Sequence, residues 1–306
     1  YMIEKLIAED MLEPLDFENI PNFQYVDEAF RNLSYDPENL YSVPYTWGCV
    51  GIIYNSRYVN AEDVTGWEIF WNSTYAGKIL MFDNPRDAFA ISELELGDDV
   101  NTEDHETLAA AQKLKEAKNL FQGYVMDQIF SKMERAEAWI APYYAGDYLT
   151  MADENPDLEF VFPEEGFNFF VDAICIPKGA EHKKEAETFI NFLLEPEICG
   201  QNLDYLGYSA PLTAAKEYMD PEMADNPIAY PDAETLARGK VFSALSLEGT
   251  QDMNNLWLTV KTEDNSTLRY LILTGAAIVV VILLWLFFKV HKRREKSRRC
   301  RKWKQS

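Results

Sequence analysis

Metal-ligating and nucleophilic side chains are scarce in this chain, with four cysteines and three histidines among 306 residues. Cys49, Cys175, Cys199 and Cys300 follow no zinc spacing, and an odd number precede residue 270. They read as small buried hydrophobes rather than a metal site or a disulfide framework. His105, His182 and His291 stand in polar or basic surroundings, with no nucleophile or ligand partner in sequence. A nucleophile elbow, a phosphate loop and a dinucleotide fingerprint are all missing, so no catalytic machinery and no cofactor is expected. The acidic run at 97–106 lacks the alternating oxygen ligands, mid-loop glycine and closing glutamate of a calcium loop, and reads as a solvated turn before a helix. Internal repeats are absent. Bases are few: 28 against 51 acids, a net charge of -23. That sign argues against a nucleic-acid partner, which needs positive charge facing phosphate.

What is present is apolar and unevenly charged. Hydrophobic residues make up 47% of the chain, enough for a sizeable core, and the length allows two domains. Residues 1–270 hold 50 acids and 18 bases, whereas 271–306 hold 1 acid and 10 bases. Between these parts, Tyr270 to Phe288 reads YLILTGAAIVVVILLWLFF without a charge, flanked by Arg269 and Lys289. As a helix this stretch rises ~28 Å, the thickness of a bilayer core. A membrane helix is expected over 268–288, with a basic cytoplasmic tail at 289–306 and the acidic part outside. That topology calls for a signal peptide or an earlier span, so the sequence reads as a fragment lacking its N-terminus.

Short apolar runs alternate with helical patterns. Cys49–Tyr54, Ile79–Phe82, Ala138–Ala141, Leu158–Phe162 and Ala173–Ile176 read as buried strands. Thr102 caps a helix whose stripe is Leu108, Ala111, Leu114 and Ala117. A second helix, about 183–195, buries Ala186, Phe189, Ile190, Leu193 and Leu194, and Pro196 ends it. A third, within 1–11, turns Ile3, Leu6 and Ile7 to one side. The alternation implies an α/β fold with a mostly parallel sheet, while 251–267 reads as a polar stretch, partly helix and partly linker. Aromatics reach 14% and several sit beside carboxylates at strand ends, as in FDNPRDAF (82–89), APYYAGDY (141–148) and FNFFVDAICIP (167–177). Rings and carboxylates together suit a cationic ligand. Aromatic core and helix-capping aspartates are the plainer alternatives for the same residues.

The segments YMIEKL, YSVPYTWGCVGIIYN, MFDNPRDAF, FPEEGFNFFVDAICIP, FINFLLEPEI, LGYSAP and YPDAETL, in this order, resemble the bacterial spermidine/putrescine-binding proteins. These are extracytoplasmic receptors of polyamine ABC importers, and the likeness runs from Tyr1 to about Leu247. It implies a two-lobed, type II periplasmic-binding-protein-like α/β fold with a hinge, lobe one being incomplete at its start. Lobe one would comprise 1–50 and 173–228, lobe two 51–172 and 229–250, and 251–267 the linker. Matched residue by residue, it implies a ligand site of Tyr1, Asn84, Asp87, Tyr143, Phe170, Asp172 and Tyr208. Asp87 and Asp172 would hold ammonium groups, and the rings would pack the methylenes between them. Two departures stand out: Asn84 where relatives carry a third aspartate, and Phe242 where some carry glutamine. The lost charge at Asn84 implies a leaning toward the shorter diamine. The expected partners are a polyamine, the permease subunits of an ABC importer and, through the C-terminal helix, the membrane. A receptor of the same fold for another small organic cation, and a sensory ectodomain, are the alternatives. The 18 residues after Phe288 are too few for a folded signalling domain.

Overall fold

The computed structural model describes residues 1–103 and 105–262. The expected membrane helix (268–288) and basic tail (289–306) lie outside the described residues, within which no helix is long and apolar enough to cross a membrane.

In chain order the elements are α1 (Met2–Ala8), β1 (Ser42–Asn55), β2 (Ile79–Phe82), α2 (Pro85–Leu96), α3 (His105–Ala117), β3 (Phe121–Val125), α4 (Ile129–Glu134) and β4 (Ile140–Tyr144). Then come α5 (Ala145–Glu154), β5 (Leu158–Val161), β6 (Phe167–Cys175), α6 (Lys183–Leu193), α7 (Pro196–Leu206), α8 (Pro221–Ala224), α9 (Ala233–Leu236), β7 (Gly239–Lys240) and α10 (Leu247–Thr262). The strands form one path in the order β3-β2-β4-β1-β6-β7, with β5 also paired to β1. β2 runs parallel to β3 and β4, and β6 parallel to β7. The sheet is nevertheless mixed rather than mostly parallel, because β1 is antiparallel to β4, β5 and β6. Strand–helix alternation sets the parallel part, but it cannot anticipate a long strand that returns against three others.

β1 is that strand. Its 14 residues are rich in β-branched and aromatic side chains, and nearly all are buried. It begins well before Cys49, since Ser42 and Pro44 disguise its first half. Pro44 has no N–H to donate, and the ladder accommodates it with a register shift: Pro44 faces Ala173, Thr46 faces Asp172, and Tyr45 is the extra residue. Beyond this bulge the pairing with β6 continues through Gly48↔Phe170 to Cys49↔Phe169.

Two hydrophobic clusters flank the bulge. The smaller gathers Leu15, Ile20, Val26 and Val43 with Ile176, Ile190, Leu194, Cys199, Leu203 and Leu212. The larger starts at Trp47 and holds the rest of β1, β2, α2, α3, β4 and Phe167. It also takes in Phe242, Met253, Trp257 and Val260, so α10 is core rather than linker. Its polar appearance reflects an exposed face; the four buried residues of α10, Gly249, Met253, Trp257 and Val260, recur at the 3.6-residue period. Two further side chains depart from expectation. Leu108 is exposed, and Ala110 joins Ala111, Leu114 and Ala117 on the buried stripe of α3. Phe189 is exposed on α6 and stacks on Phe192, while buried Glu187 meets the loop at Asp16–Asn19 through the Asp16 amide and the Asn19 side chain.

Candidate functional site

The described residues enclose a cavity of about 680 Å³ where the two clusters meet at β6. Its wall includes Tyr1, Asn84, Asp87, Phe170, Asp172 and Tyr208. Each is placed by a local device. β2 ends at Phe82, and Asn84 caps α2 by accepting a hydrogen bond from the Arg86 amide at 2.9 Å, with Pro85 in the first turn. The same turn carries Asp87, whose side chain is buried and accepts a hydrogen bond from the Tyr144 hydroxyl at 3.3 Å. The helix N-terminus favours its charge, but burial dominates and pushes the carboxyl up to about 6.

On β6 the alternation of side chains sets Phe170 and Asp172 on one face. The Thr46 hydroxyl, across the ladder, donates to Asp172 Oδ2 at 3.2 Å. Desolvation by the cavity walls raises the Asp172 carboxyl, and this hydrogen bond partly offsets it. Opposite Phe170 stands Gly48, where a Cβ would lie 2.7 Å from the ring tip, so the ring rests on bare backbone. Phe170 meets Tyr144 edge-on at 5.4 Å and Tyr208 at 6.5 Å. The three rings thus form a row with Asp87 bonded to one member and Asp172 two residues from another. The Tyr208 hydroxyl donates to Asp147 Oδ1 at 3.2 Å, and burial lifts that carboxyl to about 6. At another part of the wall Tyr1 packs edge-on against Phe242 at 6.1 Å.

Tyr143 does not line the cavity. Its ring is buried, stacked on Phe82 at 5.4 Å and edge-on to Phe130. Neighbouring residues of a strand point to opposite faces, so Tyr144 takes the place expected of Tyr143. Residues that sequence reasoning passed over also line the wall. Tyr35 stands near Asp172 and Cys175, and its buried hydroxyl has no hydrogen-bond partner among the described residues. Asn168 leaves a buried Oδ1 unpaired. Tyr144 could have been found from the strand period; Tyr35 sits in a turn whose approach to β6 has no local signal. Among the described residues no cluster of histidine, cysteine and carboxylate side chains could hold a metal ion.

An elongated, partly apolar cation fits this chemistry: two carboxylates, each held by one hydroxyl, joined by ring faces and edges. Comparison with known proteins points the same way. Residues 1–238 match the family model of the bacterial extracellular solute-binding proteins. A spermidine/putrescine-binding periplasmic protein of Salmonella typhimurium is 31% identical over 241 residues, covering 78% of this chain and 69% of the relative. The corresponding Escherichia coli protein is 32% identical over the same shares. A solved spermidine/putrescine ABC transporter substrate-binding protein from Streptococcus pneumoniae superposes with a TM-score of 0.76 at 33% identity, over 85% of this chain and 81% of that one. With its periplasmic-binding-protein-like α/β fold and a walled cavity between two cores, the chain belongs to the family of bacterial extracellular solute-binding proteins.

Proposed function

We propose that this protein is a polyamine receptor that takes putrescine or spermidine outside the membrane and hands it to the permease of an ABC importer. The observation that carries the reading is the pairing of Asp87 and Asp172 in one aromatic-lined cavity. Two carboxylates in a desolvated space are costly without counter-charge. A diamine neutralises both, and each ammonium resting on a ring face gains ~0.5–2 kcal/mol. The names of the 31–32% identical relatives support the same ligand class. Binding, not turnover, is the activity, as in the rest of the family.

The site residues are Asp87 and Asp172 for the ammonium groups and Tyr144, Phe170, Tyr208 and Tyr1 for the chain between. The lobes correspond to the two hydrophobic clusters, and closure bends the molecule where β1 and β6 pass between them. The stretch at 268–288, uncharged from residue 270 onward, anchors the receptor, with 289–306 on the cytoplasmic side. The test is calorimetric titration of the full chain in detergent with putrescine, spermidine and leucine. Saturable binding of an amine, absent for leucine and lost in Asp172→Ala, is expected. A folded protein that binds none of the amines overturns the reading.

A further inference from the structure

Behind the wall formed by Tyr1, Asn84 and Phe242 lies a second, smaller cavity of about 150 Å³. Tyr1 and Asn84 line both cavities, whereas Phe242 faces only the larger and Arg86 only the smaller. The Arg86 guanidinium sits 4.7 Å over the Phe242 ring and 6.0 Å from that of Tyr1. It is buried, and Nη2 donates to two neutral groups, Asn101 Oδ1 at 2.6 Å and the Ser243 carbonyl at 3.2 Å. Nε and Nη1 have no hydrogen-bond partner among the described residues. Lys5 adds a second positive group to the smaller cavity.

The acids within reach do not cancel this charge by contact. Asp87 is the next residue but bonds Tyr144, Glu103 bonds Ser246, and Glu4 accepts from the Ala244 amide. Glu93, two turns along α2, is fully buried with neither oxygen hydrogen-bonded among the described residues, and burial pushes it up to about 8, so it is mainly neutral at pH 7. One end of the main cavity is therefore a ring wall whose rear face is already occupied by the protein's own cation.

We infer that Arg86 is a specificity-determining residue: acting through Phe242 and Tyr1, it closes that end of the cavity to an ammonium group, so the site takes a linear diamine and discriminates against a triamine. The inference rests on the polyamine reading and deepens it. A ring that engages a cation on one face attracts a second cation poorly on the other. An ammonium on the cavity face of Phe242 would lie roughly 9 Å from the guanidinium, where repulsion at an effective dielectric of about 20 weakens binding about twentyfold. Methylenes meet no such penalty there. Asn84, a neutral cap, offers no compensating charge at this end.

The discriminating probe is N-butylputrescine, which has the length and shape of spermidine with a methyl group in place of one terminal ammonium. Calorimetry on the full chain at pH 7 compares putrescine, spermidine and N-butylputrescine. N-butylputrescine is expected to bind about twentyfold tighter than spermidine. In Arg86→Met this ratio should collapse to within about threefold, while Arg86→Lys, which keeps the charge, should hold it. Spermidine binding the wild type as tightly as N-butylputrescine overturns the inference whether or not the variants fold, and leaves the polyamine reading standing. A ratio that persists in a folded Arg86→Met also overturns it. Binding of none of the three amines removes both.

Discussion

Asp87→Asn should make the ligand-free protein more stable while crippling its binding. The carboxyl is buried and has one hydrogen bond, from a tyrosine hydroxyl. Its ordinary value near 3.8 is raised to about 6, with burial as the largest cause. A folded value above the unfolded one means that stability is greatest below pH 3.8 and is lost as pH rises through about 6. Two units correspond to about 3 kcal/mol carried against the fold at pH 7. Asparagine keeps the shape and can still accept from Tyr144, but has no charge to desolvate. The ligand-free variant should therefore melt about 4–10 °C above wild type at pH 7, and the gap should close by pH 3.5. Amine affinity should fall about thirtyfold or more, since a charge-assisted contact to ammonium is lost. Calorimetric melts with and without putrescine measure both effects. A ligand-free variant that melts at or below the wild-type temperature at pH 7 would refute the argument that this carboxylate is held at a cost for the ligand.

Other outcomes follow from the same geometry. If the ligand pairs with ionised Asp87 as proposed, affinity should drop about tenfold between pH 7 and pH 5, as the pH falls through about 6, and more steeply if Asp172, also raised, adds its proton; a flat titration series would contradict this. Gly48→Ala places a methyl 2.7 Å from the Phe170 ring tip, so the ring must shift. Stability should fall by about 1–3 kcal/mol and amine affinity with it, read from melting and titration of the same sample. Trp257→Ala removes a buried ring that meets Phe89 and Tyr124 edge-on, and should cost about 3–5 kcal/mol in chemical denaturation of the full chain. A loss under 1 kcal/mol would return α10 to the status of a linker.

Much of the architecture was legible where one local rule acted alone. Ile79–Phe82 is a short apolar run between turn residues, and it is β2 at the same bounds. The Asn84–Asp87 turn follows from capping chemistry just after a strand. Legibility failed where the answer depended on a partner far away in sequence. Read as starting at Ala138, β4 in fact begins at Ile140, and the choice between Tyr143 and Tyr144 rests on a single residue of frame. A slip of one flips every side chain, and nothing within APYYAGDY says which face meets Asp87. Phe189 fits the apolar stripe of α6 by period, yet the stripe turns out to be centred on Ile190 and Leu194. Likewise Arg86 reads as part of a helix start, and only the fold brings Phe242, from a loop some 150 residues later, over its guanidinium.

The bulge at Pro44–Thr46 has a mechanical consequence. A β-ladder resists bending through its regular hydrogen bonds, and here one donor is missing and the register slips. Flexure along β1 therefore concentrates in a crease one or two residues long, with Val43 packed in one core and Trp47 in the other. Asp172, facing Thr46 across the ladder, sits at this crease. On the proposed reading, a cation seated there would be grasped at the pivot, where displacement is smallest, while Asp87 and its helix would travel along the longer arc.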